Sequence, residues 1–160
     1  MEQGILYSPS MPMMARERQT HTIALAYRVE AASTRVIFAL SMPEYIEAWL
    51  QAPNADGLQL TFHYLTQEAF GIELYCAERL QTSIHSSCRI VSANQVQYKW
   101  KTISSIAVSE TAVDLQIRNS SGGCILGLQH SGFRDTQESA WYCRMWQESL
   151  AGLGRLMRKD

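Results

Sequence analysis

The 160-residue sequence predicts an α+β fold, in which a curved antiparallel sheet of about seven strands wraps around a long C-terminal helix and two short helices follow the first strand. Three observations carry this. Between residues 135 and 159, stepping at about 100° per residue puts Trp141, Tyr142, Met145, Trp146, Leu150, Leu153, Leu156 and Met157 on one half of a helical cylinder. Arg144, Gln147, Glu148, Arg155 and Arg158 take the other half. Upstream, apolar residues alternate with polar ones in short runs, the period of half-buried strands. Short turns join these runs, so that consecutive strands become antiparallel neighbours.

Each element has its own signal. Ile23, Leu25, Tyr27 and Val29 alternate in a strand that starts near His21. Ser33 is placed to cap a short helix carrying Val36, Ile37, Phe38 and Leu40. Pro43 suits the first turn of a second helix with Ile46, Trp49 and Leu50 at helical spacing, closed by a loop at 53–57. Strands follow on Leu58, Leu60, Phe62 and Tyr64, then on Ile72, Leu74 and Cys76. A turn is expected within 78–82, an extended segment over 83–91, and another turn at Ser92-Ala93-Asn94. Val96, Tyr98 and Trp100 oppose Gln97, Lys99 and Lys101, and Val113, Leu115 and Ile117 form the next buried stripe. Asn119-Ser120-Ser121-Gly122-Gly123 is the strongest hairpin signal and leads into Cys124, Leu126, Leu128 and His130. Asp135 followed by Glu138 reads as the N-cap and reciprocal acceptor of the last helix.

The totals exclude several classes. A net charge of −1 with both signs scattered is unlike a nucleic-acid binder. No run is long enough to span a bilayer, and residues 1–20 lack the apolar stretch of a signal peptide, which leads us to expect a cytoplasmic protein. Residues 1–19, with Ser8-Pro9-Ser10-Met11-Pro12, read as a tail and residues 20–160 as one domain. Cys76, Cys88, Cys124 and Cys143 are widely spaced, as suits reduced thiols inside strands and a helix.

A straight helix cannot touch a curved sheet everywhere, so a pocket remains between them unless large side chains fill it. Residues 32–40, Pro43-Glu44 and Trp49-Leu50 resemble the opening of the START-like (SRPBCC, birch-pollen-allergen-like) superfamily, in its branch of activators of the heat-shock-chaperone ATPase. Tyr98-Lys99-Trp100, the strand running from Leu126 to His130-Ser131-Gly132-Phe133, and Trp146 with Leu150 and Leu153 extend the resemblance over nearly the whole domain. It implies a helix-grip fold around an apolar cavity that binds lipids, polyketides or similar molecules, with cyclases and hydrolases among its members. Two departures stand out. Phe70-Gly71 replaces the double glycine usual in this branch. The tail is also too short to encode the additional chaperone-contacting domain, so chaperone activation by this chain alone is not expected.

No catalytic constellation is present. Ser131 lacks the nucleophile-elbow pattern, Gly122-Gly123 opens no helix, and His85 and Cys88 point to opposite faces of a strand and cannot share a metal. Neither a metal nor a cofactor is expected. His130 either orients a ligand at the pocket rim or is bonded to a loop and fixes the turn into the last helix. The aromatic residues either line a cavity or fill it. The leading expectation is a non-enzymatic binder of a small hydrophobic molecule, with Trp49, Tyr98, Trp100, Leu126, His130, Trp146 and Leu150 as its wall. An enzyme of cyclase or hydrolase type using His130 or Tyr98 is the alternative, and a protein-interaction module the second. Homodimerisation through a sheet edge or the tail is compatible with the sequence, though no residue argues for it.

Overall fold

A computed structural model describes residues 22–53, 57–66 and 68–158. In chain order these form β1 (Ile23–Val29), α1 (Ser33–Ser41), α2 (Pro43–Trp49), β2 (Gln59–Thr66) and β3 (Ala69–Cys76). They continue through β4 (Arg79–Ser92), β5 (Gln95–Ser104), β6 (Val108–Ser120), β7 (Gly123–Ser131) and α3 (Thr136–Arg158). The predicted tail at 1–19, the predicted strand start at His21 and the middle of the loop at 53–57 lie outside the described residues.

The seven strands form one sheet in the order β1-β7-β6-β5-β4-β3-β2, every neighbouring pair antiparallel. The alternation in the sequence is the alternation in space: Val96, Tyr98, Trp100 and Thr102 of β5 are buried while Lys99 and Lys101 are exposed. Thr111, Val113, Leu115 and Ile117 of β6 and Cys124, Leu126, Leu128 and His130 of β7 continue the same inner face. Gly122, with φ of 76°, makes the tight turn between Ser120 and Gly123 that the hairpin signal located.

Two local expectations are corrected. The turn expected within 78–82 is Ala77–Glu78, both with positive φ, so β4 begins at Arg79 and runs for 14 residues. Two-residue hairpins favour such left-handed turns because they match strand twist, and here long-range pairing imposes one on residues without the usual Gly or Asn. Ser33 does not cap α1: it is the first helical residue, and the N-cap position belongs to Ala32, with no side-chain cap.

At α3 the cap is as predicted. Asp135 Oδ1 accepts from the Glu138 backbone N–H at 2.8 Å, and Glu138 Oε1 accepts in return from the Arg134 N–H at 2.8 Å, one residue before the cap. The apolar half of α3 faces the inner side of the sheet, where Tyr142 bonds to Thr102 of β5 at 2.6 Å and Trp146 to His130 of β7 at 2.9 Å. The end of α2 is seated on the same helix. Ser149 Oγ accepts from the Gln51 N–H at 2.9 Å and donates to the Gln51 carbonyl at 3.2 Å. Beside it, a Cβ on Gly152 would stand 2.8 Å from the Trp49 carbonyl oxygen, so only glycine permits this approach.

Candidate functional site

All seven residues expected at the pocket wall are buried together: Trp49, Tyr98, Trp100, Leu126, Trp146 and Leu150 in the apolar core, and His130 against Trp100 and Trp146. Five of them form a continuous set of rings. Tyr98 stacks on Trp100 with centroids 6.1 Å apart, Trp100 on Trp146 at 5.3 Å, and Trp146 on Trp49 at 6.3 Å, while His130 meets Trp100 edge-on at 5.2 Å. Their polar tips are bonded within the protein. Trp49 Nε1 donates to the Ala39 carbonyl at 2.9 Å, Trp100 Nε1 to Ser86 Oγ at 2.8 Å, and the Tyr98 hydroxyl to the Leu40 carbonyl. Burial holds the Tyr98 and Tyr142 hydroxyls well above the ordinary phenol range, and both stay protonated.

His130 joins helix to sheet. Indole N–H can only donate, so Nδ1 accepts from Trp146; Nε2 therefore carries the proton and donates to Thr111 Oγ1 at 2.8 Å. Complete burial pulls its pKa down to about 3, leaving the ring neutral. Its bonds run to α3 and β6, not to the loop that one sequence reading assigned. With both nitrogens occupied and neither partner acidic, this ring has no proton relay to work with.

An open cleft of about 1030 Å³ lies elsewhere, where the sheet and the α1–α2 junction diverge. The pairing of β3 with β4 ends at Ala69 with Ser87, followed by one bond from the Cys88 N–H to the Glu68 carbonyl at 2.7 Å. β4 runs on to Ser92 with only β5 beside it. Ser41, Met42, Pro43 and Glu44 form one wall, Tyr64, Thr66 and Glu68 a second, and Ser87 to Ile90 with Gln97 and Lys99 a third. Ile90, on the inner side of β4, is 58% exposed, and Tyr64 is 55% exposed. The Tyr64 hydroxyl donates to Glu47 and so bridges β2 to α2. Cys88 Sγ sits 3.9 Å from the Ser41 carbonyl, and burial, then the Glu68 carboxylate, pushes its thiol up to about 11. It is uncharged at neutral pH and a weak nucleophile.

The cleft and the buried rings are contiguous. Cys88 lies directly opposite Tyr98 across the β4–β5 ladder. Tyr64 meets Phe62 at 5.3 Å, Phe62 stacks on Phe70 at 5.0 Å, and Phe70 meets Tyr98 edge-on at 6.2 Å. Of the seven expected residues, Tyr98 stands behind the cleft floor, and the other six lie deeper or toward α3. Sequence reading missed Met42, Pro43, Tyr64, Cys88 and Ile90. Tyr64, Cys88 and Ile90 read in sequence as ordinary positions of extended segments, and Met42 and Pro43 as the start of a helix. Among the described residues no three His, Cys, Asp or Glu side chains form a group able to hold a metal.

Solved structures share this architecture. The CV1439 protein of Chromobacterium violaceum superposes with a TM-score of 0.69 at 20% identity, covering 87% of this chain and 99% of its own. The AHSA1 (SPO3351) protein of Silicibacter pomeroyi gives 0.66 at 16% identity over 86% and 97%. CalU16 of Micromonospora echinospora gives 0.59 at 17% identity over 86% and 76%. This chain has the START-like helix-grip fold. No protein-family model matches the sequence, and no curated protein does so either. At these identities the likeness establishes the fold and no activity. No described helix is long and apolar enough to cross a membrane.

Proposed function

We propose that this START-like protein binds a small hydrophobic molecule, of lipid or polyketide-like character, taken in at the cleft between the α1–α2 junction and β2–β5. The observation that carries the proposal is the cleft itself. At about 1030 Å³ it lies at the upper end of the range for small-molecule sites, and Met42, Pro43, Tyr64 and Ile90 give it apolar walls. Behind its floor the ring series led by Tyr98 supplies a rigid apolar backing, and Trp49, Trp100, Leu126, His130, Trp146 and Leu150 form the inner wall toward α3. A fold often used for hydrophobic ligands supports the same reading. The bonded states of His130 and Tyr98 favour binding over catalysis. The setting we propose is the reducing cytoplasm, where exposed Cys76 and half-buried Cys88 remain thiols.

Cys88 gives the test a local reporter. A hydrophobic probe such as 8-anilinonaphthalene-1-sulfonate is expected to fluoresce on binding and to slow alkylation of Cys88 while leaving exposed Cys76 unprotected. Native mass spectrometry of freshly purified protein is expected to show a bound small molecule released on denaturation. Apolar probes that neither bind nor protect Cys88 would remove the proposal.

A further inference from the structure

Resting on the cleft assignment, we infer that the bound molecule is a single-chain amphiphile with an anionic head, its chain against the apolar cleft wall of Met42, Pro43, Tyr64 and Ile90 and its head at Arg89 and Lys99. Three side chains of the inner-face wall already have partners. Ser41 Oγ donates to the Ile37 carbonyl at 2.8 Å, the Tyr64 hydroxyl is taken by Glu47, and the Cys88 thiol is turned to the Ser41 carbonyl. None of the three has a donor to spare for an ionic head.

The rim is different. Strand alternation turns Ser87 and Arg89 of β4 to the opposite side from Cys88 and Ile90, and cross-strand register sets Ser87 beside Lys99 and Arg89 beside Gln97. One Arg89 nitrogen donates to Gln97 Oε1 at 2.9 Å, which steadies the guanidinium and leaves its remaining N–H groups unused. Gln97 is itself held by donation to Asp114 Oδ1 at 3.0 Å. Among the described residues neither Arg89 nor Lys99 is ion-paired to a carboxylate. Two neighbouring cations, one pre-oriented, therefore line the same cleft as the apolar wall. The acidic side chains there have other work. Glu47 holds Tyr64, Glu44 occupies the first turn of α2, whose N-cap lacks a side-chain bond and where a negative charge favours the helix, and Glu68 sits beside Cys88 without pairing to either cation. A carboxylate or phosphate head at Arg89 and Lys99 gains charge-assisted hydrogen bonds that a neutral or cationic head does not.

The experiment is a calorimetric titration of the full chain, below micellar concentration, with four probes: dodecanoate, 1-dodecanol, dodecyltrimethylammonium and acetate. Dodecanoate is expected to bind about tenfold or more tighter than 1-dodecanol, a gap of about 1.4 kcal/mol. Dodecyltrimethylammonium should be the weakest of the three chains, and acetate alone should not bind measurably. In the R89Q/K99Q double variant, dodecanoate should lose its advantage over 1-dodecanol. Equal binding of dodecanoate and 1-dodecanol to the wild type overturns the head-group inference while leaving the cleft in place. So does an advantage that survives in the double variant, or tighter binding of the ammonium probe. Failure of all three chains to bind overturns both readings.

Discussion

The two halves of the inner sheet face treat aromatic residues in opposite ways. Where α3 covers β5 to β7, Trp100 and His130 of the sheet and Tyr142 and Trp146 of the helix are buried, in ring contact and bonded at every polar tip. Toward β2, Phe62 and Tyr64 continue the ring series outward until it meets solvent, and no helix covers Ile90 at the end of β4. One long helix can cover only part of a seven-stranded twisted sheet. The covered part becomes the core, and the remainder, under the shorter α1–α2 pair, keeps a cleft. On the proposed function, stability and recognition are thereby divided: large apolar side chains at the covered end hold the fold, and partly exposed ones at the open end are left to meet a ligand.

The division implies a graded set of effects. Trp146→Ala is expected to be the most damaging, costing about 3–5 kcal/mol by urea denaturation. It empties a fully buried site in contact with Trp49 and Trp100 and leaves His130 Nδ1 without its donor. A loss below about 1 kcal/mol would mean that the covered half is not the stable half. Next comes acid sensitivity. His130 has a folded pKa of about 3 against an unfolded value of about 6.5, so its stabilising effect is complete above the unfolded value. Below about pH 6.5 the unfolded chain takes up a proton that the native chain refuses. Stability should therefore fall by up to about 1.4 kcal/mol per pH unit until pH approaches 3. Denaturation measured from about pH 6.5 to 5, above most carboxylate titrations, should show this slope. His130→Asn should be less stable near neutrality and lose this residue's share of the slope.

The covered half was the legible one. Its signals are local: the 3.6-residue stripe of α3, the Asp135–Glu138 cap, and alternation along β5, β6 and β7 all concern residues near in sequence. Six side chains chosen from those stripes, together with Trp49 of α2, do assemble in one core. What periodicity could not show was whether they would leave space. That depends on ring stacking among Trp49, Trp100 and Trp146, which are far apart in the chain. The cleft was illegible for a related reason. It exists because β4 runs to Ser92 while β3 begins only at Ala69, and the turn at Ala77–Glu78 that sets their register carries no glycine to reveal it. Ile90 and Tyr64 read as ordinary members of alternating strands, and their exposure appears only once the helix layer is seen to stop short of them.

Two smaller effects test the open half. Cys76 and Cys88 are both free, one exposed and one partly buried with its pKa pushed up to about 11. Iodoacetamide at pH 8 should therefore modify Cys76 well before Cys88, as followed by peptide mass spectrometry. Comparable rates would mean that the cleft floor is more open to solvent than its geometry indicates.

The smallest expected effect on stability, and the sharpest test of how the cleft works, is Tyr64→Phe. The Tyr64 hydroxyl makes the bridge to Glu47 from an exposed position, where water replaces a lost hydrogen bond readily, so the melting temperature should scarcely move. The ring and its contact with Phe62 survive the substitution. What disappears is the tie between β2 and α2 across the side of the cleft. If that tie restrains the mouth, a fluorescent apolar probe should associate and dissociate faster in the variant by a similar factor, leaving its equilibrium affinity nearly constant. A change in affinity with unaltered exchange rates would instead make the hydroxyl a direct ligand contact, and Glu47→Gln would then be expected to leave the kinetics as they are.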